Sequence, residues 1–157
     1  MKLPVSEVVE RWRLSVSRGS GTGRTALLAQ RFERAGTLVY TVAVPVGELG
    51  HILPIPDPDT PAPGNRGVSR PYARGFADYW CENSSWIAPP ILVDTPYSLN
   101  QYFEPLAAAG AIVAGKIYLP SPQDSGLQIL DGQHRVLGWD MIAMSSGAGA
   151  FGQRLQD

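Results

Sequence analysis

The sequence predicts a single α+β domain, and two stretches carry most of that prediction. Residues 38–44 are rich in β-branched side chains and end at a proline, which is typical of a strand. Residues 71–81 begin at a proline, which suits a first helical turn, and their aromatic side chains share one helical face. These aromatic residues are Tyr72, Phe76, Tyr79 and Trp80. Because strands and helices alternate along the chain, we expect a small mixed sheet flanked by helices.

The other elements follow from apolar periodicity and from turn-forming residues. Residues 25–32 fit a strand or a helix, and the pattern does not decide between them. Prolines and glycines are dense over 53–73, which predicts a long surface loop. The remaining predictions are a helix over 5–14, strands over 91–93, 117–119 and 127–130, an irregular polar segment over 95–105, and a final helix over 133–144.

Charge is distributed unevenly along the chain. Residues 1–34 carry seven basic and three acidic side chains, a net charge of +4, whereas the remaining residues carry six basic and eleven acidic side chains, a net charge of −5. We therefore divide the chain into an arginine-rich arm over 1–36, a domain over 37–145 and a loose tail over 146–157. The arm is either a solvated basic surface or an arm that contacts DNA, since a basic field attracts the phosphate backbone.

The composition is that of a globular protein. Apolar residues make up 44% of the 157 residues and charged residues 17%. No apolar run reaches the roughly 18 residues that cross a bilayer, and charged residues follow the N-terminus where a signal peptide would be apolar. With Cys81 as the single cysteine, an internal disulfide and a cysteine-rich metal site are excluded. We expect a cytoplasmic protein without a membrane segment, and no metal site from the two histidines, His51 and His134.

The most informative stretch is Asp131-Gly132-Gln133-His134-Arg135. An apolar run stops at Asp131, and apolar residues resume at helical spacing after Arg135. This pattern predicts a strand, a tight turn at Gly132 and a helix that begins near Gln133. The first backbone N–H groups of such a helix have no acceptor within it, and here they lie beside a histidine and an arginine. The stretch therefore predicts a small anion site.

Two side chains of this stretch have more than one interpretation. Asp131 is either the N-cap of the helix or a base and magnesium ligand. His134 is either a general base or phosphate ligand, or a structural histidine that bonds to the backbone. Arg135 is expected to bind a phosphate through charge-assisted hydrogen bonds.

The five residues from Asp131 to Arg135 spell the signature of the DGQHR-domain proteins. The chain resembles this group, which includes the DndB-type proteins of bacterial DNA sulfur modification (phosphorothioation), over about residues 38–144. Further supporting features occur in the family's order. They are the strand at 40–44, the arginines Arg66, Arg70 and Arg74, and the run Pro90-Ile91-Leu92-Val93.

The resemblance implies a ParB/sulfiredoxin-like fold in which the motif holds a phosphate. Its catalytic residues would be Asp131, His134 and Arg135. The phosphate or nucleotide would be bound by Gly132, Gln133, His134 and Arg135, with Arg66, Arg70 and Arg74. The implied cofactor is ATP with Mg²⁺, and the implied partners are a nucleotide, DNA or both, and other DNA-modification proteins. Sulfiredoxin chemistry needs a cysteine where this chain has Gln133, so reductase activity is not expected.

Three functional hypotheses follow. The chain is a nucleotide-dependent enzyme, either an NTPase or a ParB-like enzyme that acts on DNA, or it is a non-catalytic DNA-binding module that regulates transcription. The third hypothesis is a truncated, inactive copy, because 22 residues follow Arg135 whereas family members usually continue well beyond the motif.

Overall fold

The structure, a computed structural model, describes residues 26–145 except for 63, 65, 84, 86 and 87. The predicted helix over 5–14 and the predicted tail over 146–157 lie outside the described residues. Within these residues the strands are β1 (Leu27–Arg34), β2 (Thr37–Val42), β3 (Leu92–Asp94), β4 (Phe103–Ala109), β5 (Ile112–Ile117) and β6 (Gln128–Asp131). The helices are α1 (Leu49–Ile52), α2 (Arg70–Glu82), α3 (Pro122–Ser125) and α4 (Gln133–Ser145), and short 3-10 turns lie at Val46–Glu48 and Asn100–Tyr102. The fold class is α+β, as predicted.

The described residues form two compact units. One contains residues 26–43 and 99–120, and the other contains residues 44–98 and 121–145. The first unit is a four-stranded sheet in the order β2-β1-β5-β4, in which every neighbouring pair is antiparallel. Antiparallel neighbours need only a two-residue turn, and β1 joins β2 through Ala35 and Gly36, with φ of 50° and 78°.

Phe103, the first residue of β4, is buried in this unit and contacts side chains of β1 and β2. Its ring is buried, and the ring of Tyr40 meets it edge-on at a centroid distance of 5.6 Å. The guanidinium carbon of Arg31 lies 4.8 Å from the centre of the Phe103 ring, which is a cation–π distance. Arg31 Nη1 and the Tyr40 hydroxyl both donate to Asn100 Oδ1, at 3.0 and 2.7 Å. These polar groups therefore find their partners within the unit.

A titration experiment tests the contact between β4 and the residue that follows β5. Burial raises the pKa of the Tyr118 phenol above its ordinary value of 10.0, and the neighbouring Glu104 carboxylate raises it further. The Tyr118 hydroxyl donates to Glu104 Oε2 at 3.4 Å. The folded chain holds this proton more tightly than the unfolded chain does. The contribution of Tyr118 to the free energy of unfolding is therefore fully present below about pH 10, the pKa in the unfolded chain, and is lost as pH rises through the pKa in the folded chain. We expect Glu104→Gln to move the titration part of the way back toward 10.0.

The tyrosinate absorbance of the wild type minus that of Tyr118→Phe isolates this one phenol from the other tyrosines. If Glu104→Gln left the difference curve unchanged, the carboxylate would have no part in the shift.

The second unit is built around the helix pair α2 and α4. Ala73, Ala77 and Trp80 form the buried side of α2, and Val136, Leu137, Trp139 and Ile142 form the buried side of α4. The ring of Trp139 meets those of Phe76 and Trp80 nearly at right angles, with both centroid distances at 5.2 Å. Edge-to-face aromatic contacts of this kind stabilise a core beyond the area that they bury.

A two-stranded antiparallel ribbon of β3 and β6 leads into α4. Leu92 pairs with Asp131, and Val93 pairs with Ile129 across a bulge. Ile129 is buried and Leu130 is exposed, because successive side chains point to opposite faces of a strand, whereas all three residues of β3 are exposed. The ribbon thus fixes the backbone up to Asp131 on one side of the turn, and α4 fixes it from Gln133 on the other.

The structure corrects several of these predictions. Both described sheets are antiparallel, so the expected mixed sheet is wrong. The division into an arm (1–36), a domain (37–145) and a tail stays a prediction, and residues 27–34 of the predicted arm form β1, which pairs with β2 and β5. The segment 95–105 is not wholly irregular, because β4 begins at Phe103. The predicted strand over 117–119 is instead β5, which ends at Ile117.

The predicted aromatic face of α2 is also partly wrong. Tyr72 and Tyr79 are 75% and 45% exposed, whereas Ala73 is fully buried. The cause is the close approach of α4, because a Cβ placed on Gly138 would lie 2.7 Å from the carbonyl oxygen of Ala73. Small residues therefore face the partner helix, and two of the aromatic residues turn outward.

None of the described helices has the length and apolar character needed to span a membrane.

Candidate functional site

The motif lies wholly in the second unit and has the predicted strand–turn–helix form. β6 ends at Asp131, Gly132 makes the turn with φ of 97°, and α4 begins at Gln133. A positive φ of this size favours glycine, because a side chain would meet the adjacent backbone. Space is restricted as well: a Cβ on Gly132 would lie 2.8 Å from Arg135 Nη2 and 3.1 Å from Ile91 Cγ1.

Three backbone N–H groups at the start of α4 are available to a ligand. The first intrahelical bond runs from the Val136 N–H to the Gly132 oxygen, at 3.0 Å. The N–H groups of Gln133, His134 and Arg135 precede it and have no acceptor among the described residues. Such groups, together with the positive end of the helix dipole, attract an anion. The turn therefore has the unpaired N–H groups on which the predicted anion site depends.

Arg135 lies against this turn and is largely enclosed by protein. Its side chain is 17% exposed, and Nη2 donates to the carbonyl oxygen of Pro90 at 3.0 Å and to Asp131 Oδ2 at 3.3 Å. The Nε–H is buried and has no hydrogen-bond partner within the described part of the chain. A guanidinium has five N–H donors, so the two contacts made by Nη2 leave part of its capacity unused.

Asp131 is not the N-cap of α4. The helix begins at Gln133, so the capping position is Gly132, and Asp131 is the last residue of β6. Its carboxylate forms an ion pair with Arg135 at i, i+4 and is 72% exposed. The cap interpretation is wrong because pairing with Leu92 extends the strand through position 131.

His134 has the structural role that was one of its two predicted interpretations. Its Nε2 accepts the backbone N–H of Ser69 at 2.9 Å, and Ser69 is the residue before the first turn of α2. A nitrogen that accepts this bond carries no proton, so the neutral ring holds its proton on Nδ1. In this geometry Nε2 does not act as a base, and Nδ1–H is a donor.

Substitution of His134 tests this assignment. Glutamine has an oxygen at about the position of Nε2, whereas alanine leaves the Ser69 N–H without its partner. We expect His134→Ala to lower the free energy of unfolding by about 1 kcal/mol and His134→Gln to retain most of the stability, as measured by urea denaturation.

His134→Asn serves as the matched control, because its amide reaches the position of Nδ1 but not that of Nε2. We expect it to behave like alanine. Equal stability of all three variants and the wild type would remove the structural role of the Ser69 bond.

The three predicted arginines outside the motif are exposed or make their contacts elsewhere. Arg70 forms an ion pair with Asp59 at 3.3 Å. Neither Arg66 nor Arg74 has a hydrogen bond or ion pair to the motif among the described residues. The structure therefore brings the motif residues 131–135 together and leaves these arginines outside their hydrogen-bonding contacts.

Sequence reasoning missed three neighbours of the motif. Ser69 bonds to His134, the Pro90 carbonyl receives Arg135, and the ring of Tyr72 lies 5.7 Å from that of His134. Pro90 had a signal in the sequence, because it immediately precedes a predicted strand. Ser69 and Tyr72 had none, since their position depends on how α2 packs against α4.

Gln133 contributes to the turn and not to an open surface. Its Nε2 donates to the carbonyl oxygen of Ile129 at 3.1 Å, which ties the start of α4 back to β6.

No group of three or more histidine, cysteine, aspartate or glutamate side chains suited to a metal ion occurs among the described residues. Comparisons of the chain with protein-family models, with curated proteins and with solved structures find no significant match.

Proposed function

We propose that this chain binds a phosphate group of a nucleotide or nucleic acid at the turn from Asp131 to Arg135. One observation carries the proposal: the N–H groups of Gln133, His134 and Arg135 lack acceptors within the described residues and lie beside a largely enclosed guanidinium. Both features favour an anion, and phosphate also has the geometry that an arginine recognises well.

The cellular setting of the proposal depends on the resemblance to the DGQHR-domain proteins. We propose a DndB-like protein of ParB/sulfiredoxin-like fold that serves bacterial DNA modification of the phosphorothioation type in the cytoplasm. Its partners would be a nucleotide or DNA and other DNA-modification proteins, and Arg66, Arg70 and Arg74 would supply charge to a longer ligand.

Binding without catalysis is favoured over NTP hydrolysis. Nε2 of His134 is engaged by Ser69, and the Asp131 carboxylate is paired with Arg135, so both predicted proton acceptors are engaged. A general base has to reach the proton that it removes. A nucleotide-dependent enzyme with ATP and Mg²⁺ is the second candidate, because Asp131 is exposed enough to reach a metal-bound nucleotide.

The expected affinity is modest. A helix N-terminus contributes about 0.3–1 kcal/mol to anion binding, and up to about 2 kcal/mol when partly buried. An arginine with charge-assisted bonds contributes roughly 1.5–3 kcal/mol. The total of at most about 5 kcal/mol corresponds to a Kd near the millimolar range. Tight binding would require contacts outside the motif.

Calorimetric titration of the full chain with pyrophosphate, and then with ATP, tests the proposal. We expect weak, salt-sensitive binding that falls at least about tenfold in Arg135→Ala. Arg34→Ala is the matched control, because it removes the same charge from an exposed position at the end of β1. Arg135→Lys retains the charge and serves if the alanine variant does not fold.

Two results would count against phosphate binding: heat of binding absent for both ligands, or equal affinity of Arg135→Ala and the wild type. If the wild type releases phosphate from ATP in the presence of Mg²⁺ and Arg135→Ala does not, the nucleotide-dependent enzyme is favoured instead. Salt-sensitive binding of duplex DNA without phosphate release would favour the DNA-binding regulatory module.

A further inference from the structure

Arg135 makes two unequal contacts through one nitrogen. Nη2 donates to the Pro90 carbonyl oxygen at 3.0 Å and to Asp131 Oδ2 at 3.3 Å. The first acceptor belongs to the backbone and fixes the guanidinium in place. The second belongs to a side chain that is 72% exposed, while the arginine that it contacts is 17% exposed.

Among the described residues, Arg135 is the partner that holds the Asp131 carboxylate. An i, i+4 ion pair whose carboxylate is 72% exposed is screened by water and contributes little to stability, so an incoming group displaces such a carboxylate easily. Pro90 would keep the guanidinium in place when Asp131 moves away. The contact with Asp131 is therefore the exchangeable one.

We propose that Asp131 is an internal competitor for phosphate, and that the resting site is self-inhibited by its carboxylate. This inference rests on the proposed phosphate binding at the same turn. The carboxylate is an anion placed at the guanidinium that a phosphate would use, and the charges of Asp131 and Arg135 cancel toward an approaching ligand. A phosphate must displace the carboxylate and then bind beside a like charge.

The competing interpretation makes Asp131 a magnesium ligand. Mg²⁺ is often held by one or two carboxylates together with substrate phosphates, so the two interpretations concern the same atoms. They predict opposite effects of removing the charge. Under competition Asp131→Asn strengthens phosphate binding, whereas under metal ligation it weakens binding that depends on Mg²⁺.

The experiment is calorimetric titration of the full chain with inorganic pyrophosphate in the presence of a chelator. An asparagine side chain keeps the size and an acceptor oxygen of aspartate but lacks its charge, so we expect Asp131→Asn to bind about tenfold more tightly than the wild type. Asp78→Asn is the matched control: it makes the same charge change at an exposed position of α2 and is expected to alter affinity by less than about twofold.

The outcomes separate the two proposals. Equal or weaker binding by Asp131→Asn, with the wild type still binding, overturns the competitor and leaves phosphate binding intact. A gain shared equally by Asp78→Asn also overturns it, because the effect would then be one of net charge. Absence of binding in the wild type and in Asp131→Asn removes phosphate binding itself. In a second series of titrations with Mg²⁺ present, a loss of pyrophosphate affinity in Asp131→Asn but not in Asp78→Asn would identify Asp131 as a magnesium ligand. That result would overturn its role as a competitor.

Discussion

Gly132→Ala is expected to lower the free energy of unfolding by about 3 kcal/mol and to abolish phosphate binding at the turn. Part of the loss is backbone strain, because residue 132 has φ of 97° and an L side chain in this region costs roughly 1–2 kcal/mol. The rest is steric. The new Cβ would lie 2.8 Å from Arg135 Nη2, so the guanidinium would leave its position between Pro90 and Asp131.

Gly36→Ala separates the cost of backbone strain from the steric cost of displacing Arg135. Gly36 also has a positive φ, of 78°, but a Cβ there meets no atom within 4 Å. Its substitution is expected to cost about 1 kcal/mol of strain and to leave pyrophosphate affinity unchanged. Urea denaturation gives the stabilities and calorimetry the affinities. If Gly132→Ala cost no more than Gly36→Ala and still bound pyrophosphate, the turn would not need glycine to hold Arg135.

The turn at Gly132 was predictable because all of its determinants are adjacent in the sequence. An apolar run, a glycine and a run of helical spacing suffice to indicate strand, turn and helix. The role of Asp131 was not predictable in this way. β6 includes Asp131 because the distant residue Leu92 pairs with it, and that pairing displaces the cap to Gly132.

The chemistry of the site was less predictable than its backbone. His134 was assigned two roles from residue type alone, and the bond from Ser69, 65 positions away, distinguishes them. The exposed position of Tyr72 depends in the same way on the packing of α2 against α4. Long-range contacts decide which side chains are engaged, and a local pattern does not contain them.

The first unit shows a different limit. β4 and β5 were not recognised as a hairpin because β4 contains a proline and three alanines and β5 contains an alanine and a glycine, residue types that are uncommon in strands. The sequence did contain a turn signal, because Gly110 follows Ala109. In the structure Gly110 has φ of 61° and lies in the turn that lets Ile112 pair with Ala109. Turn residues would have been a better guide here than side-chain hydrophobicity.

Gly138→Ala is expected to destabilise the chain by about 2 kcal/mol, although alanine favours a helix more than glycine does. The added Cβ would lie 2.7 Å from the carbonyl oxygen of Ala73 and 2.8 Å from Phe76 Cδ1. A backbone oxygen in a packed core does not move as a flexible side chain does, so the helices have to separate at a cost of about 3 kcal/mol. The gain in helix propensity offsets about 1 kcal/mol of this.

Gly75→Ala is the matched control, because Gly75 lies in α2 and a Cβ there meets no atom within 4 Å. It is expected to stabilise the chain by about 0.5–1 kcal/mol, so the two glycine-to-alanine changes should differ by about 3 kcal/mol in urea denaturation. The same separation of helices would lengthen the bond from Ser69 to His134, which joins α2 to α4. Faster amide exchange at Ser69 in Gly138→Ala, but not in Gly75→Ala, would show that the packing of the helix pair positions the histidine of the motif. Equal exchange in both variants would show that the Ser69 bond is held by local structure alone.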